Sequence, residues 1–260
     1  MEFDDIVYTK KDGIAKIMLN RPQVYNAFRT YTLKELAKAL EDADLDDTIR
    51  AVILTGTGEK AFCTGGDAKE VTDGAGYAQD MDYWHTRVHQ AIRTLTKPVI
   101  AAVNGYAIGG GNVLVTICDM AIASENAIFG QAGPRVGSFD AGFGAAYLSR
   151  LVGEKKAREI WFLCRQYNAQ EALAMGLVNK VVPFDKLQEE TEIWCKEICN
   201  MSPTAIKFLK FAFNADSDHM YGFENMAMSA VRLFWGTPEA AEGKRAQKEK
   251  RKPDWSKLGA

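Results

Sequence analysis

Three consecutive glycines, Gly109, Gly110 and Gly111, separate the apolar run Val99–Val103 from a second apolar run at 113–118. The first run has the composition of a buried strand and the second the length of a short buried helix, so the glycines predict a strand-to-helix turn. Such a turn limits the chain to folds in which strands feed helices. It also leaves backbone N–H groups at a helix N-terminus, where the missing Cβ atoms let a ligand approach and the helix dipole favours developing negative charge. Glycines at that place can instead serve tight packing alone.

A second glycine turn, Phe62-Cys63-Thr64-Gly65-Gly66-Asp67, follows the β-branched run at 51–55. Two strand ends with exposed N–H groups can face one another and polarise a single carbonyl. That construction stabilises the enolate of a thioester.

The segments AFCTGGD, GYAIGGG and AIFGQAGPRVGSFD, in this order and spacing, resemble the crotonase (enoyl-CoA hydratase/isomerase) superfamily, and the resemblance covers nearly the whole chain. It implies an α/β fold, a crotonase-type ββα spiral core with a helical C-terminal region. It implies an oxyanion hole from the N–H groups of Gly66 and Gly110 and substrates that are coenzyme A thioesters. On the coenzyme A side it implies contacts from Val24, Tyr25 and Ala27, in a loop resembling the family's NRPxxxNA segment, and from Thr64, Gly65, Asp67, Ala68, Tyr106, Ile108 and Gly109. Lys250 matches a lysine that meets a coenzyme A phosphate.

Hydratases of the superfamily carry two glutamates that handle water, and here their positions hold Val113 and Gly133. Neither residue transfers protons, so hydration of an enoyl thioester is not expected by that route. The acid has moved to Asp140. The segment from Gly133 to Tyr167 resembles two ring-active groups, the 2-ketocyclohexanecarboxyl-CoA hydrolases, which open a β-keto ring with water, and the 1,4-dihydroxy-2-naphthoyl-CoA synthases, which close a ring by a Dieckmann-type condensation. Asp140 matches their catalytic aspartate, Ser138 a serine that contacts substrate, and Tyr77 a tyrosine carried on a loop over the site. Because Ser138 and Asp140 precede the helical run at 145–151, a plain helix N-cap is the competing reading for either.

Gln131, Ala132, Gly133, Trp161 and Trp235 are the expected substrate pocket. In bicarbonate-dependent synthases the glycine leaves room for a bicarbonate base with Gln, Thr and Trp partners; Gln131 and Trp161 match, while Ala132 stands for the threonine. Val71 replaces a synthase arginine, and Trp235 replaces a tyrosine whose hydroxyl reaches a neighbouring active site. These departures, together with Asn112 and Thr64, favour ring opening, whereas GSFD, FLCRQY and MGLVN look more like the synthase. The expected cofactor is none beyond the coenzyme A moiety, with bicarbonate only if the chain is a synthase.

The elements around these motifs fit one α/β unit. Residues 6–9 and 15–19 read as a hairpin, 32–43 as a helix and 51–55 as a strand, which makes a parallel crossover. Residues 67–84 read as a loop, and 121–123 and 127–129 as short strands. The division expected is a spiral core with the acyl-CoA site at 1–200 and a helical region for subunit contact at 201–260, with assembly as a homotrimer or a dimer of trimers implied by the family.

The five cysteines are odd in number and scattered in apolar segments, which predicts reduced, buried thiols in a cytoplasmic protein. His85 and His89 share helical i, i+4 spacing but lack the glutamate of a zincin motif, so no metal is expected. A formal net charge of −2 gives no general reason for a nucleic-acid partner. The basic run at 244–252 leaves RNA binding as a remote rival, since some crotonase relatives bind RNA. No apolar run reaches the roughly 18 to 20 residues that span a bilayer, so no membrane partner is expected.

Overall fold

The computed structural model describes residues 2–70 and 80–257. Tyr77 and Val71 lie outside the described residues.

Strands β1 (Ile6–Lys11) and β2 (Ile14–Leu19) pair antiparallel, closing over Asp12 and Gly13, both at positive φ. Helix α1 (Thr30–Leu45) then carries the chain to β3 (Ala51–Gly56), parallel to β2. From there one unit repeats. Strand β3 leads to β4 (Ala61–Cys63) and on to α2 (Met81–Thr94); β5 (Val99–Val103) leads to β6 (Tyr106–Ile108) and α3 (Gly110–Ile117); β7 (Met120–Ser124) leads to β8 (Ile128–Gly130) and α4 (Gly133–Val136). The first strand of each unit joins one sheet, of order β1-β2-β3-β5-β7-β10, and the second joins another, of order β4-β6-β8-β9. This is the expected ββα spiral.

A single π turn at Gly142–Tyr147 follows, then α5 (Leu148–Val152), α6 (Glu154–Leu163), β9 (Gln166–Asn168), α7 (Ala169–Ala174) and β10 (Lys180–Val182). Four helices close the chain: α8 (Leu187–Cys199), α9 (Pro203–Ala215), α10 (Met220–Trp235) and α11 (Pro238–Lys248).

The strand period of two sorts the large sheet's side chains. Val52 and Leu54 join the main core with Leu36, Leu40, Val88 and Phe129, while Ala51 and Ile53 join a smaller core with Ile100, Leu187 and Cys195 under α8. The C-terminal helices are tied in by buried cations. Lys210 Nζ donates to the carbonyls of Ile92 (2.9 Å) and Lys97 (3.1 Å) and to Asp119 (2.7 Å), and buried Arg93 donates to Ser217 (2.7 Å) and stacks over Tyr147 (4.6 Å). Partners of this kind offset the desolvation of a buried charge.

Two expectations change. The glycine turns were placed after the long strands at 51–55 and 99–103; they follow β4 and β6, whose three residues are too few to show a period. Helix α2 begins at Met81, inside the stretch 67–84 expected as a loop. Among the described residues no helix is long and apolar enough to cross a membrane.

Candidate active site

The two glycine turns meet backbone to backbone. Phe28 bridges the first: its N–H donates to Gly65 O (2.8 Å) and its carbonyl accepts the Asp67 N–H (2.8 Å). Because this bridge uses the residues on either side of Gly66, the N–H of Gly66 points the other way, towards the cavity. Gly110 is the first residue of α3, so its N–H has no partner within the helix. Gly65 has φ +84°, and a Cβ there would stand 3.0 Å from the Gly110 nitrogen. A Cβ on Gly110 would come within 2.7 Å of the Phe28 ring, and one on Gly111 would run into the Cys63 carbonyl. Thus Gly65 and Gly111 serve close packing, and that packing brings the Gly66 and Gly110 N–H groups to one place.

These N–H groups open on a cavity of about 1300 Å³ lined by Thr64, Gly65, Gly66, Ala68, Ile108, Gly109, Gly110, Val113, Gln131, Ala132, Gly133, Ser138, Asp140, Trp161 and Trp235. Asp140 is held by its own chain. Its Oδ1 accepts the N–H groups of Gly142 (3.0 Å) and Gly144 (3.2 Å), while Oδ2 is sealed from solvent with no hydrogen-bond partner among the described residues. One oxygen thus caps the π turn, as the competing reading expects, and the other takes no part in the cap. Burial raises the Asp140 carboxyl to about 6, with the nearby Glu224 charge adding to it and His89 and the two amides opposing.

A buried network stands behind Asp140. Glu224, on α10, accepts from Phe143 N–H (2.8 Å) and pairs with His89 Nδ1 (2.8 Å) on α2. Burial works against ionisation of Glu224, but its bond to His89 and its other partners outweigh this and hold the carboxyl low. His89 stacks near His85 with ring centroids 4.1 Å apart, and His85 lines the cavity. Ligand atoms of His85, His89 and Glu224 all lie within 4.8 Å of one another, so this set is where a metal would be sought. Each Glu224 oxygen already has one partner, His89 for one and the Phe143 N–H for the other. His85 and His89 were visible in the sequence as an i, i+4 pair. Glu224 was not, because nothing local marks a residue more than a hundred positions away.

Several expected contacts fall elsewhere. The Asp67 carboxylate turns from the cavity to Arg21 (2.8 Å), so it braces the loop. Val24, Tyr25, Ala27 and Tyr106 do not line the cavity; Tyr25 is exposed and lies edge-on to Tyr106 at 6.3 Å. Lys250 is exposed and outside the cavity wall, where Lys244, Arg245 and Lys248 of α11 stand.

The pocket around Gly133 also differs. Gly133 lines the cavity, but a Cβ on it would point into packed chain, meeting Ser138 O at 2.7 Å and the Trp161 ring at 3.1 Å. Trp161 gives its Nε1–H to Gly144 O (2.7 Å) and so has none left for an anion. Gln131 is buried with both amide atoms unpartnered. Trp235 donates to Ser138 Oγ (3.4 Å) within the same chain.

A ββα spiral with two glycine turns giving N–H groups to one cavity defines the crotonase class of acyl-CoA enzymes. The model of the family described as enoyl-CoA hydratase/isomerase matches residues 9–258. Solved structures agree. An enoyl-CoA hydratase from Mycobacterium avium subsp. paratuberculosis K-10 superposes with a TM-score of 0.85 at 28% identity, covering 97% of this chain and 99% of that one. Carnitinyl-CoA hydratase from Mycobacterium avium gives 0.85 at 30% identity, covering 97% and 98%. Enoyl-CoA hydratase from Bacillus anthracis gives 0.77 at 33% identity, covering 96% and 98%. The chain belongs to the enoyl-CoA hydratase/isomerase (crotonase) family.

Proposed function

We propose that this enzyme opens the ring of a cyclic β-keto acyl-CoA with water, a retro-Dieckmann cleavage. The observation that carries the reading is Asp140, a residue of the cavity wall whose Oδ2 has no hydrogen-bond partner among the described residues, in a site where Val113 and Gly133 stand at the positions of the hydratase glutamates. In this mechanism the Gly66 and Gly110 N–H groups polarise the thioester carbonyl. Asp140 takes a proton from water as the water oxygen bonds to the ring ketone carbon. The tetrahedral adduct then collapses: the C–C bond breaks, the ketone carbon becomes a carboxylic acid, and the electron pair passes into the thioester enolate held by the two N–H groups. Asp140 returns its proton to the α-carbon. Ser138 holds the ketone, and Tyr77, from outside the described residues, is assigned the same task. No hydride moves, so no redox cofactor enters.

Ring closure by a naphthoyl-CoA synthase is the second reading, favoured by one observation: the unpartnered amide of Gln131 beside Gly133 is a donor available to a bicarbonate. The committed indole of Trp161 and the close packing of Gly133 against Ser138 and Trp161 weigh against it. The proposal extends to a trimer or dimer of trimers, for which the exposed Phe208, Phe211 and Phe213 of α9 and Met226 and Leu233 of α10 offer an apolar face.

The test is a substrate comparison. Turnover of 2-oxocyclohexanecarboxyl-CoA is expected to exceed hydration of crotonyl-CoA by about a thousandfold or more in kcat/KM. Comparable hydration of crotonyl-CoA overturns the reading.

A further inference from the structure

We infer that His85 is a catalytic hydrogen-bond donor to the ring ketone, holding that oxygen as water attacks. The inference rests on the ring-opening reading and adds to it a residue that the two glycine turns and Asp140 leave out.

His85 stands between the two halves of the site. On one side its ring lies 5.7 Å from Phe28, the residue that bridges Gly66 and abuts Gly110. On the other it packs on His89, which is 6.1 Å from Phe143 in the turn that holds Asp140. A substrate whose thioester carbonyl sits at the glycine N–H groups and whose reacting ketone sits near Asp140 spans this wall. The ketone develops a full alkoxide in the tetrahedral adduct, and an alkoxide in a dry cavity needs a donor. Ser138 Oγ accepts from Trp235 and has a single proton to give, so a second donor would complete the hole for the ketone oxygen as the paired glycine N–H groups do for the thioester.

The atoms of the imidazole fix what it can offer. Among the described residues His85 Nδ1 is sealed with no partner. A proton on the sealed Nδ1 would have no acceptor, so the proton is placed on Nε2, the ring nitrogen that is not sealed and can meet an acceptor in the cavity that His85 lines. The ring is kept neutral, since burial, helped by His89, pushes its pKa down to about 3. His89 is fixed in turn by Glu224, which takes its Nδ1–H. A neutral imidazole donating N–H to a carbonyl is an established electrophile. The proton balance is unchanged, because His85 donates a hydrogen bond and transfers nothing: water's proton goes to Asp140 and from there to the α-carbon.

Two measurements test this. Isotope-edited infrared spectra of 2-oxocyclohexanecarboxyl-CoA bound to Asp140→Asn are expected to show both carbonyl bands moved to lower frequency. Adding His85→Leu is expected to reduce the ketone shift, leaving the part owed to Ser138, and to leave the thioester shift unchanged. In the enzyme with Asp140 intact, His85→Leu is expected to lower kcat about a hundredfold with KM within about threefold, and His85→Gln, which keeps an N–H donor, to recover at least about tenfold. If His85→Leu does not fold, His85→Met serves as the variant without a donor. A ketone band unmoved by the loss of His85, or kcat within about threefold, overturns the proposal while the thioester shift still supports ring opening. Failure of the compound to bind contradicts the ring-opening reading and this proposal with it.

Discussion

Asp140 and Glu224 divide one turn of backbone between them: Oδ1 of Asp140 accepts the N–H groups of Gly142 (3.0 Å) and Gly144 (3.2 Å), and Oε2 of Glu224 accepts the N–H of Phe143 between them (2.8 Å). The two carboxylates thus face one another across a π turn, a geometry often found at functional sites. Glu224 keeps its charge through His89, and that charge helps hold a proton on Asp140.

Gly144 is the weak point of this arrangement. A Cβ there would lie 2.6 Å from Asp140 Cγ and 2.7 Å from Oδ2. Gly144→Ala is therefore expected to push the carboxyl out of position and lower kcat by about a hundredfold or more, since displacement of a reacting group by about 1 Å costs on that scale. Steady-state kinetics with circular dichroism as a folding control checks it. Wild-type kcat in the variant contradicts the placement of Asp140.

Replacing Asp140 itself separates chemistry from capping. Asp140→Asn keeps an Oδ1 for the two amides but loses the base, so kcat is expected to fall about a thousandfold while thioester affinity, measured by calorimetry, stays within a few-fold. Activity within about tenfold, roughly 1.4 kcal/mol of barrier, makes Asp140 only a cap.

The same variant has a stability signature. Asp140 is raised from 3.8 to about 6 in the folded protein, so the native state holds the proton more tightly than the unfolded chain. The stabilisation this gives is full below pH about 4 and is lost as pH rises through about 6, above which the native state carries a buried charge. Asp140→Asn is thus expected to be more stable than wild type at pH 8, by at most about 3 kcal/mol, with the difference closing below pH 4. Urea unfolding at the two pH values measures it. For turnover the sign is opposite: the base must be ionised, so kcat/KM rises with pH through about 6.

Bicarbonate divides ring opening from ring closure. With Gly133 packed against Ser138 and Trp161, and Trp161 committed to Gly144, an anion at that place lacks donors to offset its desolvation. Turnover is expected to be insensitive to bicarbonate added to carbonate-depleted buffer, and Ala132→Thr not to raise it. Strong activation with o-succinylbenzoyl-CoA as substrate favours the synthase.

The sequence showed most of the site because most of it is local. The glycine turns and Asp140 sit in short motifs, and their surroundings follow from the spiral. Two kinds of feature were hidden. Strands β4 and β6 are three residues each, below the length at which alternation is visible. The Glu224–His89 pair joins α10 to α2, a contact that only packing creates. Asp67 and Lys250 show the converse. Each sits in or near a motif, yet Asp67 is claimed by Arg21, and α11 gives the cavity Lys244 and Lys248 in place of Lys250.

Mass spectrometry of the acyl-CoA products tests the central claim most directly. The purified enzyme is incubated separately with 2-oxocyclohexanecarboxyl-CoA and with o-succinylbenzoyl-CoA. Ring opening predicts that the first gains one water and yields a dicarboxylic acid mono-thioester, while the second is unchanged. Loss of water from o-succinylbenzoyl-CoA, with the cyclohexane thioester untouched, would contradict it and assign the enzyme to ring closure.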